Sequence, residues 1–167
     1  MNKRSRDGIE KAMQQFQEAI SRDQNYAVAY TGLADCYLLT EQYGGVPLSE
    51  ILFKAKAAVD RALEIDNALA EAHTSLAFIY EEQWKWAEAE QEYKRAISLN
   101  PNYSTAHLWY QIYLRAMSRF DEALAEIKRA REIDPLSPII AVNLTTVYIC
   151  LGDLDAALRA AQRLSRT

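Results

Sequence analysis

Apolar and small residues recur along almost the whole chain at the three- and four-residue spacing of one helical face, and short polar or Pro-containing breaks separate the runs. Ala12, Phe16 and Ala19 form one such stripe. Leu76, Ala77 and Tyr80 form a second, Ala89, Tyr93 and Ala96 a third, and Ala123, Ile127 and Ala130 a fourth. The pattern predicts nine helices, over about 8–22, 27–40, 48–64, 70–82, 87–98, 104–117, 121–132, 138–151 and 154–165. Pro101 and Pro135 stop two of them, because proline cannot continue the hydrogen-bond ladder.

The stripes keep a period. Pro101 and Pro135 lie 34 residues apart, as do His73 and His107, and Ala55, Ala89, Ala123 and Ala157 advance by 34 at every step. A fixed step of this length marks stacked supersecondary units, here a helix-turn-helix. The recurring alanines have a physical reason: antiparallel helices approach closely only where small side chains meet. Ala34 is expected to face Ala55, and Ala77 to face Ala89. Tyr37, Tyr80, Phe16 and Tyr93 are expected to fill the space between layers.

In this register the chain resembles the tetratricopeptide repeat family. Residues 70–103 match its pattern through Leu76, Ala77, Tyr80, Trp86, Ala89, Tyr93, Ala96 and Pro101. Residues 104–137 match through Phe120, Ala123, Ile127, Ala130 and Pro135 and depart at Tyr110, Gln111 and Leu114. From Pro138 the match runs through Leu144, Tyr148, Gly152, Leu154 and Ala157. The unit at 27–69 matches through Tyr30, Leu33, Ala34 and Tyr37. Its second helix comes nine residues late, after extra residues around Gln42-Tyr43-Gly44-Gly45-Val46-Pro47. Residues 1–26 hold half a repeat. The resemblance implies an all-α fold: a right-handed superhelical solenoid of antiparallel helix pairs, forming a single domain. The open ends lead us to expect a segment of a larger protein. Gly32-Leu33-Ala34-Asp35 and Trp84-Lys85-Trp86 are also similar in wording to repeat arrays fused to bacterial signalling and transcription regulators.

Composition adds the helical bias of 26 Ala against 5 Gly and 4 Pro, too few turn formers for a many-stranded sandwich or barrel. The net charge of −4 gives no general attraction to nucleic acid or to an anionic membrane. The most apolar run, 139–151, is too short and too interrupted to span a bilayer. Cys36 and Cys150 are expected to be small core residues in a reducing compartment, and the protein to be cytoplasmic.

Chemistry is sparse. His73 and His107 occupy equivalent bulky positions without ligand-spaced companions, so no metal site is expected and a packing or solvent-edge role is. Gly44-Gly45 lacks the Lys-Ser/Thr of a phosphate loop, and no nucleophile elbow occurs. Neither an enzyme nor a cofactor is expected. Trp84 stands in the tight turn where the family most often has Gly. Its two readings are an exposed hot spot and, preferred, a cover for the lengthened turn. The basic start Lys3, Arg4 and Arg6 is taken as solvated.

The family resemblance implies a concave face made by the first helices, able to bind an extended peptide or a partner helix. Carried over by position, it holds Thr31, Asp35 and Leu38, then Thr74, Phe78 and Glu81, then Leu108, Ile112 and Arg115, then Val142, Asn143 and Thr146, with Trp109 beside the row. The subclass that clamps a C-terminal carboxylate has Lys and Asn where this chain has Thr31 and Asp35, so acidic tails are not the expected ligand. An apolar or mildly basic peptide is. The competing reading of Phe78 and Trp109 is that they pack between neighbouring first helices. The alternative function is self-association through the terminal helices, since Ile9, Met13 and Phe16 offer an apolar face without an obvious partner.

Overall fold

A computed structural model of the chain describes residues 6–40 and 45–164, with side chains as far as residue 162. Lys3 and Arg4 of the basic start, and Gln42, Tyr43 and Gly44 of the lengthened turn, lie outside the described residues. The described chain is helical: α1 (Arg6–Arg22), α2 (Ala27–Thr40), α3 (Leu48–Ile65), α4 (Ala70–Glu82), α5 (Trp86–Leu99), α6 (Ser104–Ala116), α7 (Phe120–Ile133), α8 (Pro138–Cys150) and α9 (Leu154–Leu164). Each begins and ends within two residues of the range its hydrophobic pattern predicts.

The chain forms two compact units, Met1–Glu92 and Tyr93–Thr167. In the first, α1 packs on α2, α2 on α3, and α4 against both α2 and α3. Ala34, Ala55, Ala62 and Ala77 are completely buried there, as the close-approach argument requires. In the second, α6 packs on α7, α7 on α8 and α8 on α9. Tyr93, Tyr110 and Tyr113 cluster with ring centroids 5.6, 5.8 and 6.1 Å apart, beside fully buried Leu114 and Ile127. The departures from the family pattern at Tyr110, Gln111 and Leu114 thus build a core of their own.

Two local devices repeat with the period. Trp84, Ser118 and Gly152, 34 residues apart, all have positive φ, at 62°, 59° and 75°. Each turns the chain out of a first helix. The next residue's amide then reaches back to the helix: Lys85 to the Tyr80 carbonyl at 2.9 Å, Arg119 to Leu114 at 2.9 Å and Asp153 to Tyr148 at 3.0 Å. The second helices end differently. The Asp23, Asp66 and Asn100 side chains accept the amides of Asn25, Ala68 and Asn102 at 2.9, 2.9 and 3.1 Å, a local turn that orients the chain into the next helix.

Two expectations need correcting. Ile9 is buried, because α1 packs on α2 and does not stand unpartnered. Cys150 is exposed, because the buried stripe of α8 runs through Ile140, Leu144 and Val147 and leaves Cys150 to one side.

Candidate functional site

The first helices of the repeats supply the candidate face, α2 and α4 in the first unit, α6 and α8 in the second. Within each unit these two helices touch. That contact decides which of the expected residues are presented outward. Thr31, Leu38, Thr74 and Leu108 are buried, and the two threonine hydroxyls donate to the carbonyls of Ala27 and Ala70 at 3.3 and 2.9 Å. These four side chains fill the packing around the first helices and offer no surface to a ligand. Asp35, Phe78, Glu81, Trp109, Ile112, Arg115, Asn143 and Thr146 are half-buried, and Val142 is exposed.

In the first unit, Asp35 on α2 accepts a hydrogen bond from Ser75 on α4 at 2.5 Å. Burial pushes the Asp35 carboxyl from 3.8 up to about 6. The Ser75 hydroxyl opposes the rise and the Glu71 charge adds to it. Burial, with the neighbouring Asp35 charge, pushes the Cys36 thiol up to about 11, so it is no nucleophile at neutral pH. Near neutrality this face therefore offers a carboxylate flanked by Glu71, with Phe78 and Glu81 on α4.

In the second unit, Gln111 is completely buried and donates through Nε2 to Asn143 Oδ1 at 3.0 Å, while Asn143 Nδ2 donates to the Ile139 carbonyl at 2.9 Å. Gln111 Oε1 and Arg115 Nε are buried without a hydrogen-bond partner among the described residues. Together with Trp109 and Ile112, Arg115 makes the second unit's face apolar and basic, whereas the first unit's face is acidic. Ser75 and Gln111 were missed as interacting residues. Gln111 carries a sequence signal, a long polar side chain at a position where the family prefers a small one. Ser75 carries none.

The two histidines are interior. His73 is buried, with Nδ1 2.5 Å from Glu92 and Nε2 3.0 Å from the Asn67 carbonyl. His107 repeats the arrangement with Glu126 at 2.6 Å and the Pro101 carbonyl at 3.1 Å. Trp84, in contrast, is 77% exposed and packs edge-on against Trp86 with centroids 5.3 Å apart, and the described residues of the lengthened turn, Gly45, Val46 and Pro47, are exposed as well. Among the described residues, no helix is long and apolar enough to cross a membrane.

The family model described as Tetratricopeptide repeat matches residues 70–103. The type IV pilus assembly protein PilF of Pseudomonas aeruginosa is 29% identical over 85 residues, covering 51% of this chain and 33% of its own length. The chain spans only 12% and 33% of the length of the curated relatives it matches. Among solved structures, TTC0263, a thermophilic tetratricopeptide protein of Thermus thermophilus, superposes with a TM-score of 0.77 at 19% identity. The match covers 95% of this chain and 82% of that one. YrrB, described as a tetratricopeptide protein with an unusual peptide-binding site, superposes with a TM-score of 0.60 at 22% identity, covering 95% and 77%. Residues 70–103 are thus a tetratricopeptide repeat, and with the 34-residue step carried through α4 to α9 the chain shares the all-α helical-repeat solenoid fold of these neighbours.

Proposed function

We propose that the chain is a non-catalytic scaffold that holds a peptide or protein partner on the first-helix faces of its units. The observation that carries this reading is the row left partly open once packing is satisfied: Asp35, Phe78 and Glu81 in the first unit, Trp109, Ile112 and Arg115 in the second. Half-buried aromatic side chains next to charge suit an extended segment that brings apolar residues and, for the first unit, a basic group opposite Asp35 and Glu81. The description of YrrB as having a peptide-binding site supports a ligand of this class. We place the module in the cytoplasm, within a larger bacterial signalling or regulatory protein. Its repeats are taken as 27–69, 70–103, 104–137 and 138–167, after a half repeat at 1–26.

The test is titration of fluorescent peptides, apolar with and without one Lys, against the protein and its Phe78→Ala/Arg115→Ala variant. Affinity for the Lys-bearing peptide should fall by about tenfold or more in the variant, equivalent to roughly 1.4 kcal/mol. Equal affinity in a folded variant would remove these faces from the account.

A further inference from the structure

Gln111 Oε1 and Arg115 Nε are the two buried side-chain atoms that lack a hydrogen-bond partner among the described residues, and they stand one helical turn apart. Buried polar groups in folded proteins are almost always paired, so the coincidence calls for a cause. Residues 111 and 115 are i and i+4 on α6, neighbours on one face of that helix. Packing alone does not demand the glutamine, because one period earlier the position holds Ala77, completely buried.

A chain of hydrogen bonds fixes which way the Gln111 amide faces. The Ile139 carbonyl can only accept, so Asn143 turns Nδ2 toward it and Oδ1 toward Gln111. Gln111 meets Asn143 through Nε2, which leaves Oε1 as a buried acceptor turned from that contact. Arg115 Nε is a donor only. The pair therefore asks for a group that brings one donor and one acceptor. A carboxylate has no donor for Oε1, and an ammonium has no acceptor for Nε and is repelled by the guanidinium. An extended residue presents its own N–H and C=O on the same side of the strand, as residues of antiparallel strands do when they exchange two hydrogen bonds.

We infer that Gln111 Oε1 and Arg115 Nε receive the main chain of one extended residue of the partner, Oε1 accepting its N–H and Nε donating to its carbonyl. This rests on the peptide-binding reading above and assigns backbone recognition, independent of the partner's side chain at that residue, to the second unit. In the free chain both atoms are covered. A helical side chain leans over the turn N-terminal to it, so Arg115 lies toward Gln111. Arg115 as a whole is half-buried, and an outward swing of its guanidinium uncovers Oε1 and carries Nε to the surface with it.

The experiment uses the fluorescent apolar peptide with one Lys, remade as a series in which each backbone amide in turn becomes an ester and so loses its N–H. One ester should bind the 167-residue chain about tenfold more weakly than the parent peptide, and the others about equally to it. Gln111→Met keeps the side-chain length and removes the acceptor. It should weaken the parent peptide by about the same tenfold and erase the difference between the parent and that ester. Should Gln111→Met unfold, Arg115→Lys decides, because it keeps the charge and lacks Nε: affinity should fall about tenfold, whereas a purely electrostatic role would leave it unchanged. A peptide with one added Asn tests a side-chain amide as the ligand. A flat ester series, an ester effect that persists in Gln111→Met, or a gain from Asn that the esters leave untouched would each overturn backbone recognition. So would a crystal structure of the free chain with Nε bonded to Oε1 or a water held between them. Binding lost in Phe78→Ala/Arg115→Ala beside a flat ester series would leave the peptide-binding reading standing and remove only this assignment, whereas no binding of any peptide would remove both.

Discussion

The His73 imidazole on α4 bridges to the Glu92 carboxylate on α5, Nδ1 to Oε2 at 2.5 Å, and 34 residues later His107 and Glu126 repeat it at 2.6 Å. In both pairs Nε2 faces a backbone carbonyl, which can only accept, so Nε2 carries a proton. Nδ1 is then the ring nitrogen that meets the carboxyl group in each pair. Glu92→Ala leaves the buried Nδ1 without its partner and should cost about 1–3 kcal/mol in urea unfolding. Glu92→Gln can donate its amide to Nδ1 and should cost less than half of that. Equal losses for Ala and Gln would mean that the pair acts through packing alone.

The left-handed turns make a second prediction. A side chain in this conformation costs about 1–2 kcal/mol, and glycine escapes the cost while losing about 0.5–1 kcal/mol in unfolded-state entropy. Ser118→Gly should therefore stabilise by roughly 0.5–1 kcal/mol. Gly152→Ala should destabilise by a similar amount for conformational reasons only, because nothing lies within 4 Å of a Cβ built there. Trp84→Gly should gain less than Ser118→Gly, since it also loses the edge-on contact with Trp86. Thermal midpoints of the three variants give the order.

The helices, their ends and the crossing alanines were readable because each rests on a local or periodic signal: Pro101 and Pro135, the 34-residue step, Ala55 and Ala89. The site was less so. Thr31, Leu38, Thr74 and Leu108 share a helical face with residues that stay half-open, and periodicity cannot distinguish the strip of that face covered by a neighbouring helix from the strip left to solvent. The partner of His73 lies 19 residues away on another helix. Asp35 could be assigned to the candidate face from its position, whereas the burial that raises its pKa and the Ser75 hydroxyl that restrains the rise follow only from α2 and α4 touching.

Asp35 supplies the pH-dependent prediction. Its carboxyl titrates near 3.8 when unfolded and at about 6 in the fold, so between these values the folded chain holds the additional proton. Stability from this group is fully present below about pH 4 and is lost as pH rises through 6. Asp35→Asn keeps an oxygen to accept from Ser75 and removes the charge. It should stabilise the protein by on the order of 2 kcal/mol at about pH 8, and the difference from the parent should vanish below about pH 4. Paired urea titrations across that range measure it, and a difference independent of pH would show that the carboxylate is not the source.

Gly32 on α2 and Phe16 on α1 make a close approach that mutation can test. A Cβ added at Gly32 would land on the Phe16 ring, with Cε1 2.5 Å away and Cζ closer still. Real Cβ atoms do not tolerate such separations, so either the ring or the whole of α1 must move. Helix propensity alone would favour Gly32→Ala by roughly 1 kcal/mol. The clash acts against that gain, and overpacking of this kind costs about 1–3 kcal/mol. The expected net result is destabilisation of up to about 2 kcal/mol, read from urea unfolding. Phe16→Leu removes the ring atoms in the way while keeping an apolar side chain. Alone it should destabilise by leaving a void between α1 and α2. Combined with Gly32→Ala, the two changes should cost less than their sum, a coupling of at least about 0.5 kcal/mol expected for residues in direct contact. Strict additivity would mean that α1 shifts as a body to relieve the clash, and that the Gly32–Phe16 approach does not set its position.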